Sequence, residues 1–439
     1  MNAEKLLKTL YTESLKNAGA RPGLRRNRTG IAEAVIGQLA GWSPVQAKKT
    51  TTESPFQIVD FFCGSGGMSL GFSSLSRISP FFRLIGGCDI NPDAARTYRR
   101  NFLVPVAETD IRELAADKKA RRRFFGNLKD YDPNTPLIVI GCAPCQGFSS
   151  HRKKEWDRED DRNTLVSDFV KVATSMKPVC VVMENVPELL SVKYWDNFEA
   201  ARDILRNAGY VVRQAIYNAA SYGVPQERFR AVVIAMRRDF LLPEPIFEPK
   251  DYRTVRQAIG HLPTVEPGKE HPLDKMHRSA GHRPETLDVI RAVPKNGGNR
   301  PQGVGPKCLD RVRGFYDVYG RLSWDSPAIT ITHYARNPAS GRYIHPEQDR
   351  GLTMREAALL QSFPSGFEFT GAFDAVFKQI GEAVPPGLAC GIAANVLVEL
   401  LSAPPYEKEK RAGIPAITKP VSSSYSSVIA GIKTRRRAA

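Results

Sequence analysis

Six apolar runs alternate with helix-like stretches between residues 56 and 237, and this alternation constrains the fold more than any other feature of the chain. Each run is short and rich in Val, Ile and Phe, which is typical of buried strands. Strands that alternate with helices form a parallel sheet whose faces are covered by those helices. We therefore predict an α/β fold with strands at 56–61, 83–89, 137–142, 179–184, 211–217 and 230–236.

The most informative local motif follows the third run, where Gly141-Cys142-Ala143-Pro144-Cys145 continues into Gln-Gly-Phe-Ser. Open α/β sheets bind their ligands at the carboxyl ends of their strands. Pro144 stiffens the loop before Cys145, which suits a nucleophile held at a fixed angle. A cysteine alone is more often a buried, inert thiol. The motifs in the rest of the chain favour the nucleophile.

A Gly-rich turn follows the first run, where Gly64, Gly66 and Gly67 precede an apolar helix start. Glycines at such a turn let the backbone approach a ligand that a Cβ atom would exclude. Asp89 ends the next predicted strand, where an acid commonly accepts hydrogen bonds from ribose hydroxyls. By itself this pattern fits an enzyme that binds a nicotinamide dinucleotide equally well.

Two further motifs place charged side chains at strand ends. Glu184 ends an apolar run, and a buried carboxylate is costly unless it is paired or used in chemistry. It follows Cys145 by one crossover unit, which places both residues at the same edge of the sheet. Arg228 and Arg230 alternate along an extended segment, so their side chains face the same side.

Taken in order, these segments resemble the motifs of the DNA cytosine-5 methyltransferases of the bacterial restriction-modification type. Cys145 lies in a Pro-Cys loop like that of the family, Glu184-Asn185-Val186 matches its acid motif, and residues 226–230 match its Gln-x-Arg-x-Arg motif. The resemblance implies the S-adenosylmethionine-dependent methyltransferase fold, which is Rossmann-like with a mostly parallel seven-stranded sheet. It also implies a smaller target-recognition domain.

The resemblance implies a role for each catalytic residue. Cys145 would attack C6 of a flipped-out cytosine, which activates C5 to receive the methyl group of S-adenosyl-L-methionine. Glu184 would bind N3 and the exocyclic amine as an acid of raised pKa. Arg230 would bind O2 of the base and lower the pKa of the thiol, and Arg228 would orient its neighbours.

Other positions match cofactor contacts of the family. Phe62 would pack on the adenine, Gly64 and Gly67 would line the methionine part, and Asp89 would hold the ribose. Glu382 departs from the family, which usually has a cofactor-contacting Asn there, and this change would weaken that contact. The remaining implied contacts are Ile90, Asp110, Ile111, Pro144 and Leu165.

The motif order also predicts the domain organisation. Residues 240–320 are rich in Pro, Gly, His and Arg and lie between two of the motifs, and the resemblance implies that the target-recognition region is there. Their four His have no accompanying Cys pair, and we expect no metal. We predict a basic N-terminal extension at 1–54, a catalytic and cofactor-binding domain at 55–238 plus 375–403, a target-recognition domain with supporting motifs at 239–374, and a basic, disordered tail at 404–439.

Charge and composition limit the partners. The formal net charge of +17 favours a polyanion, and the resemblance makes double-stranded DNA the expected partner of a monomer. A restriction endonuclease encoded separately is a partner that this class allows. No apolar run reaches the ~18 residues that span a bilayer, and the N-terminus does not read as a signal peptide. Seven Cys without regular spacing suit the reducing cytoplasm.

Three alternatives remain open from the sequence. An RNA cytosine-5 methyltransferase would share the same motifs, although the sizeable recognition segment favours DNA. A non-catalytic DNA-binding relative is supported only by Glu382, since Cys145 and Glu184 are both present. A nicotinamide-dependent oxidoreductase fits the Gly-rich turn but leaves the cysteine, acid and arginine motifs unexplained.

Overall fold

The fold is described by a computed structural model, and its centre is a seven-stranded sheet. The apolar runs form its strands because their side chains are buried on both faces of the sheet. The strands are β1 (Phe56–Phe61), β2 (Phe82–Cys88), β3 (Val106–Ala107), β4 (Leu137–Gly141), β5 (Cys180–Asn185), β6 (Val211–Asn218) and β7 (Phe229–Met236). The structure describes residues 2–16, 23–44, 54–144, 164–311 and 317–421.

The order of the strands is β3-β2-β1-β4-β5-β7-β6, and only β7 runs against the others. Because β7 is antiparallel to both of its neighbours, it begins at the edge of the sheet where β1, β4 and β5 end. Four chain segments therefore meet at this edge. It is also the edge at which open α/β sheets bind ligands.

Helices cover both faces of the sheet. They are α1 (Ala3–Ser14), α2 (Arg28–Gly37), α3 (Gly67–Leu75), α4 (Pro92–Phe102), α5 (Ile111–Ala116), α6 (Lys118–Gly126), α7 (Leu165–Ser175), α8 (Trp195–Asn207), α9 (Val255–Ile259), α10 (Pro284–Ala292), α11 (Cys308–Arg311), α12 (Met354–Leu360), α13 (Phe373–Glu382), α14 (Pro386–Leu401) and α15 (Glu407–Ala412). On one face α14 packs against α2 and α3, and on the other α7 packs against α5 and α8. Successive strand residues such as Ile58 and Val59 point into these two separate cores.

The predicted fold class is confirmed. Each of the six predicted strands begins and ends within one residue of its observed bounds. The seventh strand, β3, is only two residues long, and so short a pairing leaves no periodic signal in a sequence.

The N-terminal segment packs into the main core. Leu7 and Ile31 are fully buried, and α2 lies against α14. Arg25 holds the Glu399 carboxylate of α14 through two hydrogen bonds, of 2.8 and 2.7 Å. The described residues of the predicted extension therefore contribute side chains to the main core.

The chain after α14 is ordered as far as residue 421. It forms α15, and the Ile417 and Val421 amides donate to the carbonyl oxygens of Gln214 and Leu190, each at 2.9 Å. The prediction of a disordered tail is therefore wrong for residues 404–421. Residues 422–439 lie outside the described part of the chain.

The recognition segment contains little regular structure. A two-stranded ribbon joins β8 (Glu270–His271) to β9 (Asp274–Arg278), and α9 and α10 flank it. Between Arg321 and α12 the described residues show only isolated bridges and a short turn of 3-10 helix at Pro338–Ser340.

Buried arginines hold this irregular segment together. Arg321 is fully buried and donates to the carbonyl oxygens of Ile290, Val293 and His345 at 2.8 to 3.0 Å. Buried carbonyl groups outside helices and sheets need such donors. A guanidinium group supplies several of them at once, so it takes the place of a strand partner.

One stretch, Phe373–Leu401, is long and apolar enough to pass a test for membrane-spanning helices. It comprises α13 and α14, and residues 383–385 separate these two helices. Of its most apolar window, 89% is buried inside the protein. Its hydrophobicity is that of a core helix packed between other helices.

Candidate active site

Glu184 and Arg230 meet where β5 ends and β7 begins. Oε1 of Glu184 lies 2.8 Å from Nε of Arg230. The register pairs Glu184 with Val232 and Asn185 with Ala231, so the acid is presented beside the first residues of β7. The structure thus brings together the two residues to which the resemblance gives contacts with N3 and O2 of the target base.

Burial determines the chemistry of Glu184, whose exposed fraction is 7%. Burial raises the pKa of Glu184, and the charges of Arg230 and Arg228 work against that rise. Oε1 is the oxygen that Arg230 approaches, and the hydrogen bond from that guanidinium also lowers the pKa of Glu184. The effect of burial prevails, so the group keeps its proton to higher pH than an ordinary Glu.

Arg228 serves a different part of the molecule from Arg230. Its guanidinium donates to the carbonyl oxygens of Ile331 at 2.9 Å, Gly381 at 2.9 Å and Ala383 at 3.1 Å. These contacts tie the start of β7 to two segments that follow much later in the chain. These three partners are backbone carbonyl groups, and the predicted orienting role of Arg228 stays a prediction.

Gln226, the first residue of the same motif, is fully buried. Its side chain donates to the Leu360 carbonyl oxygen at 2.9 Å and accepts from the Ile331 amide at 2.9 Å. It also bonds to the Gln361 side chain. The motif therefore joins the sheet to the segment after the recognition region.

The chain that leads to Cys145 runs along the same edge. After β4 it continues to Pro144, and the Asn185 side chain donates to the Ala143 carbonyl oxygen at 3.2 Å. The residue next to Glu184 therefore anchors the backbone two positions before the predicted nucleophile. Cys145 itself lies outside the described residues, so its predicted role stays a prediction.

Asp89 and the Gly-rich turn form the other half of the site. Asp89 accepts from the amides of Gly64 and Asn91, each at 2.8 Å. Burial raises the pKa of Asp89 in spite of these two bonds. Gly64 has φ of 51°, and a Cβ placed there would meet no atom within 4 Å. The turn and the acid therefore border open space, which fits a ribose-bearing ligand.

Apolar groups lie beside this space. Phe62 has the uncommon φ of 52° for a residue with a side chain, and its ring centroid lies 6.3 Å from that of Phe169. Ile90 is 66% exposed directly after the half-buried Asp89. An exposed Ile at this position fits the flat face of an adenine, whereas Leu165 is buried at the start of α7.

Gly67 has a packing role. A Cβ atom there would overlap the Val384 carbonyl oxygen, and one at Gly66 would overlap the ring of Phe102. Gly66 also has φ of 96°. These two glycines let the turn pack closely against its neighbours, and Gly64 is the one that faces open space. The predicted cofactor contact of Gly67 stays a prediction.

Asp110 and Ile111 lie at the start of α5. Asp110 caps the helix by accepting from the Arg112 amide at 2.9 Å, and it forms an ion pair with the Arg112 guanidinium at 2.6 Å. The hydrogen bond from Arg112 lowers the pKa of Asp110. Ile111 is buried in the same core as Leu165. Their predicted contacts with the adenine stay predictions.

Comparison with known families identifies the chain. Residues 56–397 match the family of C-5 cytosine-specific DNA methylases, and this match covers more than half of the sequence. The chain belongs to that family. It is an S-adenosyl-L-methionine-dependent DNA cytosine-5 methyltransferase, which confirms the predicted family, activity and cofactor.

Individual relatives of this methylase agree with the family match. It is 34% identical over 352 residues to the type II methylase M.HgiDII of Herpetosiphon aurantiacus, which covers 77% of this chain and 94% of that protein. It is 36% identical over 343 residues to the type II methyltransferase M1.HphI of Haemophilus parahaemolyticus, with 77% and 86% covered. A DNA modification methyltransferase of an Escherichia coli prophage shares the fold, with a TM-score of 0.60, 23% identity, and coverage of 79% of this chain and 99% of that one.

The family match also bears on the three alternative functions that the sequence left open. It does not favour the RNA methyltransferase or the non-catalytic relative. The nicotinamide-dependent oxidoreductase had only the Gly-rich turn in its support.

Sequence reasoning missed a buried polar cluster behind the turn of the methylase. Asp60 is 1% exposed and accepts from the Ser69 hydroxyl at 2.6 Å, and that hydroxyl lies 2.6 Å from the Tyr98 hydroxyl. Burial raises the pKa of Asp60 to about 8. The signal available in the sequence was an acid, Asp60, inside an apolar strand.

Glu188 was missed as well, and its side chain is buried. Burial raises the pKa of Glu188, and the charge of Arg230 opposes that rise.

A polar cavity of about 500 Å³ opens between the recognition segment and the start of α13. Tyr334 on its wall is 52% exposed, and Arg336 forms a 2.7 Å ion pair with Asp374. Cations, amides and exposed aromatic rings are the groups that bind phosphates and bases. Further lining residues include Arg278, His282, Asn337 and Phe373.

The histidines of the recognition segment bond to the protein itself. His277 contacts the Thr353 hydroxyl at 3.0 Å and the Pro263 carbonyl oxygen at 2.8 Å. His282 accepts from the Gly351 amide at 3.2 Å. Within the described ranges, no group of three His, Cys, Asp or Glu side chains is arranged to hold a metal ion.

Proposed function

We propose that this methylase modifies cytosine within one duplex DNA sequence, by attack of the Cys145 thiolate on C6 of a flipped-out base. One observation carries the proposal: the buried Glu184–Arg230 pair lies at the edge of the sheet where β4 ends, and Asn185 anchors the Ala143 backbone there. An acid that keeps its proton can donate to N3, and the guanidinium can donate to O2.

The reaction balances with these groups. As the S–C6 bond forms, the C5–C6 electron pair shifts to make a C4–C5 double bond, the C4–N3 pair moves to N3, and N3 takes the Glu184 proton. The C4–C5 pair then takes up the methyl group, which S-adenosyl-L-methionine supplies as an electrophilic substituent of its sulfonium, and the C4–N3 double bond forms again. Loss of the C5 proton to a base restores the C5–C6 double bond and expels the thiolate, and N3 returns its proton to Glu184.

The cofactor groups are proposed from the open space beside the turn. Asp89 would accept from the ribose hydroxyls, and Phe62 and Ile90 would enclose the adenine. Gly64 leaves room for the methionine part. The other proposed contacts are Gly67, Asp110, Ile111, Pro144 and Leu165.

Duplex DNA would lie against the predicted target-recognition domain, residues 239–374. The cavity around Arg278 and Tyr334 offers cations and an aromatic face there. The net charge of +17 attracts the phosphate backbone. Removal of the base from the stack is required, because its C6 cannot be reached inside a duplex.

The type II relatives suggest a restriction-modification role for this methylase. We infer that it acts as a monomer in the cytoplasm of a bacterium and protects sites from an endonuclease encoded separately. A digest of host DNA from cells with and without the gene would show which sites it protects.

A covalent trap tests the proposed mechanism. Release of the enzyme requires loss of the proton from C5, and a fluorine in that position cannot be removed by a base. A duplex with 5-fluorocytosine at target sites should therefore hold the enzyme covalently after methyl transfer. We expect a denaturant-resistant complex with the native chain and S-adenosyl-L-methionine, and none with Cys145→Ser. A complex that survives in Cys145→Ser would contradict the proposal, and transfer to tRNA in place of duplex DNA would favour the RNA alternative.

A further inference from the structure

Glu382 is held at a defined place beside the site. It is the last residue of α13, and the carbonyl groups on both sides of it, of Gly381 and Ala383, accept hydrogen bonds from Arg228 at 2.9 and 3.1 Å. A Cβ at Gly381 would overlap the backbone of His333. The backbone around Glu382 is therefore fixed by its neighbours.

The same segment packs on the Gly-rich turn. The Val384 carbonyl oxygen lies where a Cβ of Gly67 would be, and Gln361 donates to the Ala383 carbonyl oxygen at 2.8 Å. Gly64, in the same turn, donates to Asp89 at 2.8 Å. The residues that follow Glu382 and the Asp89 carboxylate therefore contact the same turn, and Gly64 of that turn borders open space.

The charges in this region act on one another. The side chain of Glu382 reaches solvent, yet the protein around it is enough for burial to raise the pKa of the carboxyl. The positive charge of Lys378, one helical turn earlier, opposes that rise, and the negative charge of Asp89 adds to it. Lys378 also lowers the pKa of Asp89, so the three groups share one electrostatic environment.

The methyl donor and the product of the reaction differ in charge. S-adenosyl-L-methionine carries a sulfonium cation that S-adenosylhomocysteine lacks, while both keep the same ammonium, carboxylate, ribose and adenine groups. A carboxylate near the sulfur attracts the donor but has no charge to attract in the neutral thioether. An Asn, which the resemblance led us to expect at this position, carries no net charge.

We propose that Glu382 is a specificity-determining residue that makes the pocket prefer the cationic methyl donor to its neutral product. The proposal rests on the cofactor assignment above. Its consequence is faster escape from product inhibition than a chain with Asn would have.

Calorimetric titration of both ligands into the full-length protein tests this, without any need for turnover. In Glu382→Asn and Glu382→Gln we expect the Kd of S-adenosyl-L-methionine, divided by the Kd of S-adenosylhomocysteine, to rise roughly 3- to 10-fold. Glu407→Gln, an exposed side chain on α15, is the control and should change neither. Lys378→Gln removes the opposing charge and should strengthen the preference for the donor.

Equal changes in both constants, no change in either, or the same direction of change in Lys378→Gln and Glu382→Asn would overturn the inference. If the native chain binds neither ligand, the cofactor assignment fails instead. Transfer of label to DNA together with an unchanged ratio of constants in Glu382→Asn would leave the enzyme assignment intact and reject only the role of Glu382.

Discussion

Glu184 and Glu356 are both buried beside an arginine, yet their pKa values move in opposite directions. Burial raises the pKa of each carboxyl. Arg350 holds Glu356 through two bonds, of 2.8 and 2.7 Å, and its charge brings the pKa of Glu356 down to about 2. Arg230 makes one contact with Glu184, and the rise prevails. The number of aligned donors separates a structural carboxylate from one that can act as an acid.

Replacement of the Glu184 proton donor should stop the chemistry without unfolding the protein. We expect Glu184→Gln to lower the rate of methyl transfer by roughly 10²- to 10⁴-fold, the usual contribution of a positioned acid. Single-turnover transfer of labelled methyl to DNA measures this. Binding of DNA should persist, and a Glu184→Gln enzyme with native activity would remove Glu184 from the mechanism.

Asp60 should make stability depend on pH. Its pKa is about 8 in the fold and 3.8 in an unfolded chain, so between these values the unfolded state holds fewer protons. The free energy of unfolding should therefore fall as the pH rises from 4 to 8. Asp60→Asn should lose this dependence. The free energy of unfolding of Asp60→Asn minus that of the native chain should therefore be larger at pH 8 than at pH 5.

Urea denaturation at the two pH values measures the effect of Asp60→Asn. Asp203→Asn, at an exposed position of α8, is the matched control and should follow the native curve. Parallel curves for the native chain and Asp60→Asn would show that Asp60 is ionised in the fold.

At the scale of elements, the strands were the most predictable part of the molecule. Their apolar runs are continuous because both faces of the sheet are buried. The contact of Glu184 with Arg230 did not follow from the strands alone, because it depends on the antiparallel pairing of β5 with β7. The partners of Arg228 could not be predicted, since Ile331 and Gly381 are brought to it by tertiary packing. For the same reason the packing role of Gly67 was missed.

The start of α12 shows how one side chain can hold an element in place. Thr353 caps the helix, and Glu356 accepts from the Thr353 amide at 2.8 Å while it pairs with the buried Arg350. We expect Glu356→Gln to lower the free energy of unfolding by about 3–5 kcal/mol, because Arg350 would remain buried without a counter-charge. Urea denaturation at pH 7 measures this.

Acid should act on the native chain as the substitution does. Since the pKa of Glu356 is lowered from 4.5 to about 2, its contribution is complete above pH 4.5 and is lost as the pH falls toward 2. Glu285→Gln, on the surface of α10, is the control. A loss no larger in Glu356→Gln than in Glu285→Gln would contradict this account of α12.

At the scale of the whole molecule, arginine side chains join segments that lie far apart in the sequence. The target-recognition segment lacks periodicity because buried arginines such as Arg321 replace its backbone pairing, so its structure could not be read from the sequence. The N-terminal helices were taken for an extension, yet Arg25 fastens them to α14. Long-range pairs of this kind leave no local signal.

The polar cavity around Arg278 and Tyr334 should contribute to DNA affinity through phosphate contacts. We expect Arg278→Gln to weaken binding of all duplexes alike and to reduce the slope of log K against log salt by about 1. Fluorescence anisotropy over a series of salt concentrations measures the slope. Arg206→Gln, on α8, is the control, and an identical slope in Arg278→Gln would place DNA elsewhere.

The most direct measurement uses tritiated S-adenosyl-L-methionine and unmethylated genomic DNA, and compares the native chain with Cys145→Ser. We predict that label enters DNA as 5-methylcytosine only with the native chain, and bisulfite sequencing then gives the target site. Label in the Cys145→Ser reaction, or no label from a native chain that binds DNA tightly, would contradict the account.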